Sequence, residues 1–161
     1  MKYLLVCLAV VGLVGCAGGT NDALNTVQEQ GIVEVSEASF QLTVNDGPTS
    51  FTVNDAEIVN SRVICSYNGA SLQVRLQNSD TGQFSEMKID AIDLSGIDPS
   101  GTETFTDTFT NVYDDIESNY TAEFLSCTHT VANDNSVITI ASTCQKDDGA
   151  SAQLDASCTL R

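Results

Sequence analysis

Cys127 and His129 stand two residues apart in the run CTHT, and two more cysteines, Cys144 and Cys158, follow them. Residues at i and i+2 of a strand point to the same face, so thiol and imidazole would lie side by side. Reduced, such a pair is a nucleophile with its base, or half of a zinc site that Cys144 and Cys158 would complete. Oxidised, Cys127 is a half-cystine beside an ordinary strand histidine, and in an exported protein oxidation outcompetes both alternatives. A second candidate is the acidic segment carrying Asp107, Asp114, Asp115 and Glu117, since calcium takes six to eight oxygen ligands and a loop between strands can supply several. No complete EF-hand pattern is present, and a solvated acidic turn is the plainer interpretation. Catalysis finds little support: the chain has one histidine, no GxSxG elbow, no phosphate-binding loop and no sugar-stacking platform for a pair of glycosidase carboxylates. The expectation is a protein that is not an enzyme, with a hydrolase of unseen site as the remote alternative.

Where these residues work is set by the other end of the chain. Lys2 precedes an apolar run over residues 4–14, and Leu13, Val14, Gly15 and Cys16 close it. A dozen apolar residues are too few to span a bilayer as a mature helix. The arrangement has the parts of an export leader with a small residue before the cut. It resembles the lipobox of bacterial lipoproteins. The resemblance implies that residues 1–15 are a signal peptide, that Cys16 is diacylated and becomes the new N-terminus, and that the protein is lipid-anchored in the cell envelope. Ala17 lacks the Asp of an inner-membrane retention signal, which implies the outer membrane where the host has one. Cys7 goes with the leader.

Behind Cys16 the residues up to 31 are small and polar and read as a flexible tether. One domain is expected over residues 32–161, long enough to bury roughly 68–70% of its unfolded surface. Its charge is lopsided: 22 acidic residues against 6 basic give a net charge of −16, one unit more negative once Lys2 is removed. That sign repels phosphate backbones and anionic headgroups, so nucleic acid is excluded as a partner and the membrane is reached through the acyl chains on Cys16. The expected role is structural or protein-interacting, with an envelope or extracellular protein as partner; a calcium-dependent or small-ligand-binding lipoprotein is the alternative.

Four cysteines stay with the domain, Cys65, Cys127, Cys144 and Cys158. An even number in an exported chain reads as two disulfides with three connectivities open. The domain reads as β throughout. Phe40, Leu42 and Val44 alternate with polar residues, and the similar segments SFQLTVND and SFTVND form a hairpin. Asn68–Gly69 between two alternating strands predicts a two-residue type I′ turn that pairs Tyr67 with Ala70, Cys65 with Leu72 and Val63 with Val74. Residues 84–91 form a strand that ends or bulges where apolar parity slips to Ile92. The run TETFTDTFT over residues 102–110 reads as one edge strand, residues 111–119 as a polar loop, and residues 120–131 as one long strand. Residues 137–144 and 150–160 complete the set, with a hairpin at 146–149 that keeps Cys144 and Cys158 too far apart to bond. Eight or nine short strands with close turns and no amphipathic helix predict an antiparallel β-sandwich; an up-and-down barrel is the alternative. A lipocalin-type barrel resembles a larger domain with a Trp near its start, and this chain has none.

Overall fold

The computed structural model describes residues 38–106 and 108–160. The leader, Cys16, the tether, residues 32–37 and Asp107 lie outside the described residues. Within them the chain forms eleven strands in two antiparallel sheets, and the β-sandwich expected from the alternation is what folds.

β1 (Ser39–Asn45) and β2 (Phe51–Asn54) form the first hairpin, with Leu42 opposite Val53 and Val44 opposite Phe51. The chain then crosses to the second sheet for β3 (Ser61–Tyr67), β4 (Ser71–Asn78) and β5 (Phe84–Asp90). It crosses back for the edge strand β6 (Thr102–Thr106) and returns for β7 (Thr110–Asp114) and β8 (Tyr120–Phe124). Finally β9 (Ser126–Asp134), β10 (Val137–Gln145) and β11 (Ser151–Thr159) extend the first sheet, and β11 closes against β1. The six-stranded sheet runs β2-β1-β11-β10-β9-β6 and the five-stranded sheet β3-β4-β5-β7-β8.

The core lies between the inner faces. Phe40, Leu42, Val44, Ile138, Ile140 and Leu154 from one sheet meet Leu72, Val74, Leu76, Met87, Ile89 and Phe124 from the other, all at 1% exposure or less. Each such side chain contributes about 1.5–3 kcal/mol of transfer free energy. Strands buried on one face keep the period of two, which is why alternation located them.

Two segments read as single strands are each split. TETFTDTFT divides into β6 and the start of β7, which lie in different sheets, and β6 is indeed an edge. Residues 120–131 divide at Leu125, which is 65% exposed, into β8 of one sheet and β9 of the other. Apolar parity changes between Phe124 and Leu125 because the chain changes sheet there. The polar segment after residue 110 is also not all loop, because Thr110–Asp114 is a strand with Thr110, Val112 and Asp114 facing inward. These divisions raise the strand count above eight or nine.

The β3–β4 hairpin keeps its predicted parity but shifts by two residues. Tyr67 faces Leu72, Cys65 faces Val74 and Val63 faces Leu76. Asn68 pairs with Ser71 through Asn68 N and Ser71 O at 3.2 Å, leaving Gly69 and Ala70 at the tip. Gly69 has φ +89° and Asn68 is not left-handed, so glycine fills the first central position, the requirement of a type II′ turn. Asn68 serves instead as an acceptor, its Oδ1 taking Ala70 N and Ser71 N. Left-handed backbone at both central residues occurs in the β9–β10 hairpin, at Asn135 (φ +50°) and Ser136 (φ +80°). The turn at 146–149 forms as predicted, with Lys146 N bonded to Ala150 O at 2.9 Å.

Two disulfides join these strands. Cys65 and Cys158 link β3 to β11, one sheet to the other, with Cα atoms 5.9 Å apart. A parallel bridge between Cys65 and Leu160 brings the sheets into contact at the same corner. Cys127 and Cys144 link directly opposed residues of β9 and β10, Cα atoms 4.1 Å apart. Cys144 and Cys158 are not partners, as the hairpin required.

Candidate functional site

Cys127 and His129 do share a face of β9, and it is the inner one. Across the ladder, Cys127 meets Cys144 and His129 meets Ser142. His129 Nδ1 lies 2.8 Å from Ser142 Oγ, and Nε2 lies 3.1 Å from Thr110 Oγ1 of the opposite sheet. The imidazole is fully buried. Burial disfavours its charged form and pulls its pKa down to about 4, so the ring is neutral at pH 7, one nitrogen donating and one accepting.

The ligating atoms of Cys127, His129 and Cys144 come within 4.8 Å of one another, but both sulfurs are consumed in a disulfide, and Cys158 is bonded elsewhere. A nucleophilic thiol and a four-ligand zinc site are therefore not assembled. The constellation is a hydrogen-bonded strut between the two sheets beside a cross-strand bridge.

The acidic segment is organised by one carboxylate. Asp114, at the end of β7, has no exposed surface. It accepts from Ser85 Oγ on β5, and from the backbone N–H groups of Ile116 (3.3 Å), Glu117 (3.0 Å) and Ser118 (2.8 Å). Asp115 Oδ1 accepts from Phe84 N, and its carbonyl takes Gln83 Nε2 at 2.7 Å. Glu117 is exposed. Asp114, Asp115 and Glu117 do not gather into a group of convergent ligands as Cys127, His129 and Cys144 do. Asp107 lies outside the described residues. What the segment does is close the β7–β8 turn, since a buried carboxylate is stable where hydrogen-bond donors satisfy its oxygens.

The two outer faces of the sandwich are chemically unlike. The five-stranded sheet carries Arg62, Arg75 and Lys88 outward. Arg75 Nε meets Glu86 Oε2 at 2.7 Å, and its guanidinium lies 4.1 Å from the centre of the Phe84 ring. Lys88 Nζ lies 2.8 Å from Asp90. The Phe84 and Tyr113 rings are 4.7 Å apart. It is a mixed ionic and aromatic surface.

The outer face of the six-stranded sheet has none of this. One row of paired residues crosses all six strands as Thr106, Thr128, Thr143, Gln153, Thr43 and Thr52. The next reads Thr104, Thr130, Ala141, Asp155, Gln41 and Asn54. Neighbouring hydroxyls touch within the rows, Thr43 to Thr52 at 3.2 Å and Thr104 to Thr130 at 3.4 Å. Asp155 and Asp134, the latter at the β9–β10 turn, are the charged side chains that the strands of this sheet turn outward among the described residues. Around Ala141 the face dips into an open hollow of about 290 Å³ lined by Thr128, Thr130, Thr143, Gln153 and Asp155. Sequence reading passed over this surface because each strand shows only hydroxyls at alternate positions. The signal was available: in a chain of 22 acidic residues, the outward positions of β6, β9, β10 and β11 are nearly all Thr, Ser, Gln or Ala.

No family model, no curated protein sequence and no solved structure matches the chain.

Proposed function

We propose that this chain is a bacterial envelope lipoprotein, anchored through acyl chains on Cys16, whose disulfide-stabilised acidic β domain is a binding module rather than a catalyst. The observation that carries the reading is the division of the surface. The net charge is −16, yet the broadest face of the domain is almost free of charge and rich in hydroxyls. Self-repulsion favours dispersing carboxylates over the whole surface. A six-strand face that keeps only Asp155 near its centre and Asp134 at its margin, among the described residues, suits contact with a partner that a dense array of carboxylates would disturb. The lipobox-like end supplies the address: several acyl chains, each contributing about 0.8 kcal/mol per buried methylene, hold a polyanion that an anionic membrane surface would otherwise repel.

The anchor is tested by the intact mass of envelope-purified protein without reduction. Loss of residues 1–15, added acyl mass and two hydrogens fewer per disulfide are the expected signature, and an unmodified Cys16 overturns it. The binding role is tested by a photocrosslinking residue at Thr128 in cells, with Asn111 on the opposite face as control. Adducts from position 128 alone support the reading; equal or absent capture at both positions refutes it.

A further inference from the structure

We infer that the hollow around Ala141 binds sugar units of an uncharged polysaccharide, a conclusion that rests on the six-stranded face being a binding surface. The chemistry of the hollow names the ligand class. Asp155 is an acceptor for two neighbouring O–H groups, Gln153 offers an amide that donates and accepts, and Thr128, Thr130 and Thr143 do both through one atom each. A vicinal diol needs that combination of donors and acceptors. The methyl of Ala141 forms an apolar floor between Thr130 and Asp155, its cross-strand neighbours.

Charge excludes the alternatives on the polymer side. Among the described residues the face has no Lys or Arg to hold a sulfate, a phosphate or a uronate, and the net charge of −16 repels any polyanion. It also lacks the aromatic, Met and Arg side chains that dominate protein interfaces, which favours a glycan over a protein partner. The hydroxyls are held ready: threonine is stiff at χ1, so less freedom is lost when it binds. Rows are spaced by about 4.8 Å between strands and about 6.7 Å along them, on a surface that twists from strand to strand. A flexible polymer can follow that twist, whereas a planar crystal face cannot. Without an aromatic ring to stack on, each unit is held weakly and strength comes from many units of one chain.

Native electrophoresis through gels containing neutral polysaccharide is the test, because the charge of the protein drives it through the gel and a neutral polymer that binds it slows it relative to a non-binding reference protein in the same gel. A mixed-linkage β-glucan, a galactomannan and dextran are compared with anionic alginate. Retardation by at least one neutral polymer and none by alginate is expected. Asp155→Ala should weaken it about tenfold, the loss of one charge-assisted hydrogen bond. Ala141→Thr fills the hollow with a residue that favours strands, so it should abolish binding while leaving the melting temperature at or above that of the parent. Asn111→Thr on the other sheet should change nothing. No retardation by any neutral polymer, or equal retardation of the Ala141→Thr protein, overturns the inference. Protein adducts at Thr128 in cells together with no retardation would refute the glycan while leaving the binding module standing; loss of both refutes both.

Discussion

His129 and Ser142 face each other across β9 and β10 with Nδ1 and Oγ 2.8 Å apart, one inward step from the Cys127–Cys144 bridge. The other ring nitrogen reaches Thr110 in the opposite sheet. The imidazole therefore ties two sheets together, and burial, rather than its hydroxyl partners, keeps it neutral.

Acid should act through this ring. Its pKa is about 4 in the folded protein and about 6.5 in an unfolded chain. Between these values the unfolded chain binds the extra proton, so stability is complete above about pH 6.5 and falls as the pH drops toward 4, by about 3 kcal/mol in all. Urea unfolding at a series of pH values should show the decline beginning above the carboxylate range. His129→Gln should be flat from pH 6.5 to 5; an unchanged slope in that variant would place the titration elsewhere.

Asp114 should be the costliest of the acidic residues to remove. Asp114→Ala strips the acceptor from Ser85 and from three backbone N–H groups, and each charged hydrogen bond is worth about 1.5–3 kcal/mol. Allowing for relaxation of the turn into solvent, chemical denaturation should record a loss of about 3–4 kcal/mol. Exposed Glu117→Ala should stay within about 0.5 kcal/mol of the parent.

The two disulfides should differ in weight. Cys65–Cys158 closes a separation of 93 residues and Cys127–Cys144 one of 17. By loop-closure entropy the first contributes about 4.6 kcal/mol and the second about 3. Double alanine variants of each pair, melted side by side, should keep that order.

Ser136 holds φ +80° in the β9–β10 turn, a region that costs a residue with a β-carbon about 1–2 kcal/mol. Ser136→Gly removes the penalty and loosens the unfolded chain by less, so a gain of about 0.5–1 kcal/mol should appear as a raised melting temperature.

Sodium chloride should stabilise the domain. At about 1 M the screening length shrinks to roughly 3 Å, and the mutual repulsion of the carboxylates is lost. Calcium at equal ionic strength should shift the melting temperature no further, because the Asp114 and Asp115 carboxylates already accept internal donors. A larger shift with calcium would restore the acidic turn as a site.

The sandwich was legible because its strands bury one face each. Phe40, Leu42 and Val44, and the run from Ala150 to Leu160, announce their inner side without any knowledge of their neighbours. Turn position was less legible: Asn68 and Gly69 suit two different turns, and which forms depends on whether Asn68 supplies backbone conformation or a side-chain acceptor. Sheet membership was least legible. Residues 102–110 and 120–131 look continuous because a strand that changes sheets stays extended throughout, and only the neighbours it meets differ. Asp114 was misread for a related reason, since a carboxylate at the end of a strand looks like a solvated one until Ser85 and the turn are placed around it. Cys127 and His129 were correctly set on one face, while the closeness of Cys144 depended on a register that the chain alone does not reveal.

The Cys65–Cys158 bridge also determines how the domain carries mechanical load. Any pull arriving from the N-terminal side enters at Ser39, which pairs with Ser157, the residue beside Cys158. β1 lies between β2 and β11 rather than at an edge, so it cannot be peeled from one side. Tension passes across the β1–β11 ladder to a strand bolted covalently to the other sheet. The load is then shared between the paired positions of β1 and β11 and the covalent link from β11 to the second sheet.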